Sequence, residues 1–211
     1  MKKVSLIFIL LIGFGCISYA QTITIGTQVW TTKNLDAATF RNGDPIPQAK
    51  TDEEWEKAGD NQQPAWCYYD NDPANGAKYG KLYNWYAVND SRGLAPVGYH
   101  IPSDAEWKIL TDFLGGEEVA GTKMKSTDFW ADYEGNSGNG TNESGFSGLP
   151  GGFRYFYGLF YFIGDGTLWW SSTENDTSNA WLHGLGYDTG DVYRDGDFGK
   201  QNGFSVRCLR D

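Results

Sequence analysis

The sequence predicts an α+β domain, rich in strands and loops and carrying two main helices. Short β-branched and aromatic runs recur at both ends of the chain, and two stretches carry helix caps. The 28 glycines and repeated Asn-Gly and Asp-Gly pairs leave much of the rest to turns.

Ahead of the domain, residues 1–20 read as a signal peptide: Lys2 and Lys3, the apolar run VSLIFILLIGFGC, then Ser18 and Ala20 as small residues before the cut. Cleavage after Ala20 leaves residues 21–211 as one domain, secreted or at the cell surface. A lipoprotein cut before Cys16 is the alternative, disfavoured by Gly13 and Phe14 upstream. The run is too short for a transmembrane span, and no second apolar stretch follows.

Two alternating runs around Gly26-Thr27 predict an opening hairpin. In TDEEWEKAG, Thr51 and Glu54 have capping-box spacing, with Gly59 placed to end the helix. A short helix is expected over residues 82–88. In PSDAEWKILTDFLGG, Ser103 and Glu106 repeat the cap, and Trp107, Ile109, Leu110, Phe113 and Leu114 form the apolar stripe, ending at Gly115. GGFRYFYGLFYFIGDGTLWWSST predicts three strands, and NAWLHGLGY, GDVYRDG and GFSVRCL three more. Tight turns are expected at Asn42-Gly43, Asn75-Gly76, Asp165-Gly166, Asp195-Gly196 and Asn202-Gly203.

Without Lys2 and Lys3, the 17 basic side chains become 15 against 27 acidic ones, a net charge of −12. Such a balance repels phosphate backbones and anionic lipid, which disfavours nucleic-acid and membrane-surface partners. Cys208 lies among Arg207 and Arg210, cations that would activate a thiol, so a nucleophile, a metal ligand and a disulfide half are all open. Export and an even count favour a bond to Cys67. Closing a loop of about 140 residues, it would contribute about 4–5 kcal/mol.

Several ordered stretches carry a resemblance: CYYDNDPANGAKYGKLYNWYAV, GYHIPSDAEWKIL, TNESGFSGLPGGFR, WWSSTE and the closing GFSVRC. With these the chain resembles the Fibrobacter succinogenes major paralogous domain family from about residue 23 to the end, which implies an exported bacterial protein. More distantly, PSDAEWKIL with the late GFSVRCLRD is similar to the formylglycine-generating enzyme superfamily. That relation implies a C-type-lectin-like fold: an irregular, mostly antiparallel sheet, two main helices and neighbouring termini. The resemblance also makes Cys208 part of a structural end strand.

Enzymes of that superfamily hold copper on paired cysteines, and here only Cys67 and Cys208 are available for the role. His100 and His183 sit in no ligand or triad motif; Ser171, Ser172 and Glu174 lack a nucleophile elbow; Glu143 and Glu174 have no telling spacing. No catalytic residue is therefore assigned. For binding, Trp170, Trp181, Tyr187 and Tyr193 are the candidate sugar-stacking aromatics, with Trp169 and Trp170 expected on opposite faces of one strand, one of them exposed. Asp70, Asp72 and Asn75 resemble the start of a calcium loop, broken by Pro73 and the missing terminal Glu, so no cofactor is expected unless calcium binds there. The reading is a non-enzymatic extracellular binding module for a glycan or surface protein. An extracellular enzyme on the formylglycine-generating scaffold and a structural component of a surface assembly are the alternatives.

Overall fold

The computed structural model describes residues 21–211, so the signal-peptide and Cys16 readings lie outside the described residues. The expected hairpin is there: β1 (Thr22–Ile25) pairs antiparallel with β2 (Gln28–Thr31), and Gly26 turns at φ 60°. A side chain is costly in that conformation, so glycine belongs there. In α1 (Asp52–Asp60), Thr51 accepts from the Glu54 N–H, while the Glu54 carboxylate accepts from Lys50 instead of closing the box on Thr51. The helix runs through Gly59, whose bare Cα faces Gln201, and ends at Asn61.

β3 (Trp66–Cys67) and β4 (Leu82–Tyr83) form a ribbon, with α2 (Pro73–Tyr79) between them in sequence. α2 contains Asn75-Gly76, expected as a turn. Asp72 caps its first turn through the Ala74 N–H and Pro73 presets its backbone, which outweighs the local turn preference. The short third helix is α3 (Trp85–Val88), capped by Asn84.

β5 (Tyr99–His100) leads into α4 (Asp104–Phe113), whose capping box between Ser103 and Glu106 is closed in both directions. Trp107, Leu110 and Leu114 are buried, whereas Ile109 and Phe113 are 50% and 63% exposed. Those two fall on the helix's other side, so the stripe is narrower than expected. α5 (Glu117–Met124) escapes the pattern because it buries Ala120, Gly121 and Met124. At Gly121 a Cβ would lie 2.3 Å from the Asp191 carbonyl oxygen.

β6 (Asp132–Tyr133) and β7 (Asn136–Ser137) make an exposed hairpin. The main sheet comprises β8 (Gly151–Arg154), β9 (Phe160–Ile163), β10 (Gly166–Glu174), β11 (Asn179–Gly186) and β12 (Tyr193–Gly199), in the order β12-β11-β10-β8-β9. Its ladders are antiparallel except β8 against β10. Of the five expected turn dipeptides, only Asn42-Gly43 has its glycine at positive φ; around β9 that conformation falls on Gly158 and Gly164 instead.

The last strand, β13 (Leu209–Arg210), joins a second sheet in the order β1-β2-β13-β5, so the opening hairpin and the chain's end are neighbours. Of GFSVRCL, only Leu209 belongs to that strand. The residues before it bridge three other elements: Gly203 to Arg154, Phe204 to Tyr83 and Ser205 to Trp169. Phe204, Val206 and Cys208 enter a cluster with Trp170, Tyr83 and Leu182. On the other face, Trp169 packs with Trp30, Trp107 and Phe146. Trp169 and Trp170 do take opposite faces, but both faces are covered and both rings are fully buried. Full burial of a large apolar side chain contributes about 1.5–3 kcal/mol.

Candidate functional site

An open groove of about 470 Å³ lies where β8 and β9 meet the start of β10, the end of β11 and the start of β12. Phe153, Tyr155, Phe162, Tyr187, Tyr193 and Phe198 line it. Gly184 lies opposite both Leu168 and Tyr193 in the ladders, and a Cβ there would sit 2.4 Å from Leu168 Cδ2. The glycine thus lets Leu168 fill the sheet surface between the aromatic walls.

Phe162 gives the groove its most exposed face. Its ring lies nearly parallel to Phe153, with centroids 5.5 Å apart and planes at 16°, yet it stays 53% exposed. The backbone beneath it is left-handed, φ 66°, a conformation that costs a bulky L-residue about 1–3 kcal/mol. Tyr193 is 47% exposed and donates its hydroxyl to Asp195; burial first, and Asp195 with it, push the phenol up to about 12. Asp165 and Asp188 line the groove as well. At its margin, the buried Thr167 hydroxyl has no hydrogen-bond partner among the described residues. A second recess of about 390 Å³, lined by Phe156, Asp197 and Asn202, shares Tyr155 and Phe198 with the first. Together they make an aromatic floor with acidic edges.

Two of the four aromatics singled out in the sequence, Tyr187 and Tyr193, are in the groove. The other two are not. Trp170 is fully buried and donates its indole N–H to the Tyr83 carbonyl, so its ring faces no ligand. Trp181 is half-buried with the Arg194 guanidinium 4.0 Å from its ring centroid. Phe153 and Phe162 went unselected because an aromatic run does not say which ring ends exposed; the turn glycine Gly164 beside Phe162 was the available signal.

Asp72 spends an oxygen on the Ala74 N–H, Asn75 donates to the Tyr69 carbonyl, and Asp70 is exposed. Among the described residues no group of three or more His, Cys, Asp or Glu side chains is placed to hold a metal ion. The expected Cys67–Cys208 bond is not formed, and both thiols are free and buried. The pleat gives the reason: Cys67 and its partner Leu82 face the cluster around Trp55, while Trp66 and Tyr83 face the one containing Cys208. Burial pushes each thiol up to about 12 despite neighbouring arginines, so both stay protonated.

His183 is buried, stacked on Trp107 at 5.0 Å, with Nε2 3.1 Å from Asp104 Oδ1. Arg194 donates to both oxygens of the same carboxylate, at 2.8 and 2.7 Å. Burial lowers the His183 pKa, whereas bonds to His183 and Arg194 outweigh burial and hold Asp104 well below the usual carboxylate range. These groups tie the start of α4 to β11 and β12. His100 bridges Glu106 and Asp211 at 3.0 and 2.9 Å. Ser171 is buried and accepts from the Thr173 N–H, Glu174 pairs with Lys200, Ser172 donates its backbone N–H to Pro102, and Glu143 is exposed.

The family described as Fibrobacter succinogenes major domain matches residues 23–210, nearly the whole described chain. The chain belongs to that family. Within this Fibrobacter succinogenes major domain, the groove, the main sheet and the capped helices all lie inside the matched span. No curated protein matches the chain. No helix among the described residues is long and apolar enough to cross a membrane.

Proposed function

We propose that this domain is an exported, non-enzymatic binding module at the cell surface or outside the cell, taking a neutral glycan in its aromatic groove. Phe162 carries the reading: a bulky ring held on a strained, left-handed backbone and left half in solvent. Strain of that kind persists where the surroundings demand a particular geometry. An aromatic face suits the apolar face of a sugar ring, and the carboxylates of Asp165 and Asp188 suit its hydroxyls. Those same carboxylates disfavour an acidic polysaccharide at this place. Cys67 and Cys208, buried in separate clusters, support binding over chemistry on a paired copper-thiolate site. A C-type-lectin-like architecture is part of the proposal, supported by the opening hairpin and final strand sharing a sheet.

Titration calorimetry with neutral oligosaccharides, chosen from a glycan array, tests it. Binding should weaken about tenfold or more, equivalent to about 1.4 kcal/mol, in Phe162→Ala and in Tyr193→Ala. Equal affinity in wild type and both variants, or no neutral glycan bound, would sink the proposal.

A further inference from the structure

A second recess, of about 470 Å³, lies among the residues after β2, the end of α2 and the closing segment. Arg207 forms part of its wall. Its side chain is 1% exposed, and every acceptor it meets is a neutral oxygen. Nε donates to Asn34 Oδ1 at 2.7 Å, Nη1 to the Thr31 and Phe146 carbonyls, each at 2.8 Å, and Nη2 to the Ser147 carbonyl at 3.1 Å. A guanidinium has five N–H groups, so one on Nη2 has no partner among the described residues.

Three other buried cations here have a carboxylate partner. Lys81, Arg154 and Lys200 pair with Asp36, Asp52 and Glu174. Lys125 donates to two carbonyls, and burial lowers its pKa even though Asp188 favours its charge. Next to Arg207, the Cys208 thiol is protonated and offers no negative charge. A buried charge without a counter-charge is costly, and the favourable remedy is an anion in the adjoining space.

The remaining lining points the same way. Lys33 and Lys78 are exposed at the recess, and neither has an ion-pair partner among the described residues. Lys78 Nζ is 3.4 Å from the Phe129 ring centroid, which holds the ammonium close to the surface without neutralising it. The one carboxylate of the lining, Asp36, is already taken by Lys81. Three uncompensated cations on one recess are unexpected in a chain of net charge −10.

We infer that this recess binds a small oxyanion, a carboxylate or a sulfate or phosphate group, between Arg207 at its base and Lys33 and Lys78 at its mouth. The site is separate from the aromatic groove and stands whether or not the groove takes a glycan.

The test uses the chain from residue 21 onward, with sodium sulfate, sodium phosphate or sodium galacturonate against sodium chloride at matched ionic strength. Amide resonances of Gly76, Gly80 and Ser147, together with the melting temperature, report binding. A saturable shift with at least one oxyanion and not with chloride is expected, and its Kd should rise tenfold or more in Lys33→Gln/Lys78→Gln. The galacturonate and sulfate arms distinguish an acidic sugar from a tetrahedral anion. Equal responses to chloride and to every oxyanion, or an unchanged Kd in the double variant, overturn the inference. The lysines are exposed, so the variant tests the site without disturbing the core.

Discussion

Phe162 stands over Phe153 with ring planes 16° apart, on a backbone at φ 66° that a phenylalanine adopts only under constraint. Replacing it with glycine removes the stacked ring and relieves the strain together. The lost half-burial, about 1–1.5 kcal/mol, and the recovered backbone energy, about 1–3 kcal/mol, oppose each other. Phe162→Gly is therefore expected to unfold within about 1 kcal/mol of wild type while losing glycan binding. Chemical denaturation beside calorimetry checks both halves; a large loss of stability would mark the residue as structural.

The two cysteines make a second prediction. Cys67 and Cys208 lie in separate buried clusters, and both are protonated at neutral pH. In the folded chain starting at residue 21, neither should react with a thiol reagent over the time wild type stays native. After denaturation without reductant, two thiols per chain should titrate. Finding none after denaturation would mean that the chain closes a disulfide which this arrangement does not contain.

Helix caps are legible in the sequence and the partner of a cysteine is not, and the difference is a matter of range. Ser103 and Glu106 act on backbone groups within one turn, so three residues of sequence carry the whole interaction. The opening hairpin and the strands of the aromatic region were legible for the same local reason. Pairing Cys67 with Cys208 depends on which face of β3 meets the closing segment, and residue count holds no information on that. Trp169 and Trp170 show the same limit: alternation placed them on opposite faces, but coverage of both faces is a property of the assembled fold. In the groove, Tyr187 and Tyr193 were reachable from their acidic surroundings, whereas the exposure of Phe162 arises from a backbone inversion beside Gly164.

His100 gives a pH prediction. Burial opposes its charge, but the carboxylates of Asp211 and Glu106, at 2.9 and 3.0 Å, outweigh it and raise the pKa above the usual 6.5. A raised folded pKa stabilises below the unfolded value, and the gain is lost as pH rises through the folded one. The group is more than a third exposed, so the gain is limited to about 1 kcal/mol or less. His100→Gln should melt lower than wild type at pH 5.5 and with a smaller difference at pH 9. A difference independent of pH would assign the effect to packing alone.

Gly203 tests the closing segment. Its N–H and carbonyl exchange bonds with Arg154 at 2.7 and 2.9 Å, while a Cβ would lie 2.7 Å from Trp55 Cζ2 and 3.1 Å from Arg154 Cβ. Trp55 is fully buried and Arg154 is fixed by four acceptors, so neither can withdraw without breaking what it packs or bonds. Gly203 has no positive φ, so conformational freedom is not what the position requires. Gly203→Ala is expected to cost about 1–3 kcal/mol through overpacking. At this chain length that lowers the melting temperature by about 2–12 °C. A melting temperature equal to wild type would mean that the closing segment can shift away from Trp55.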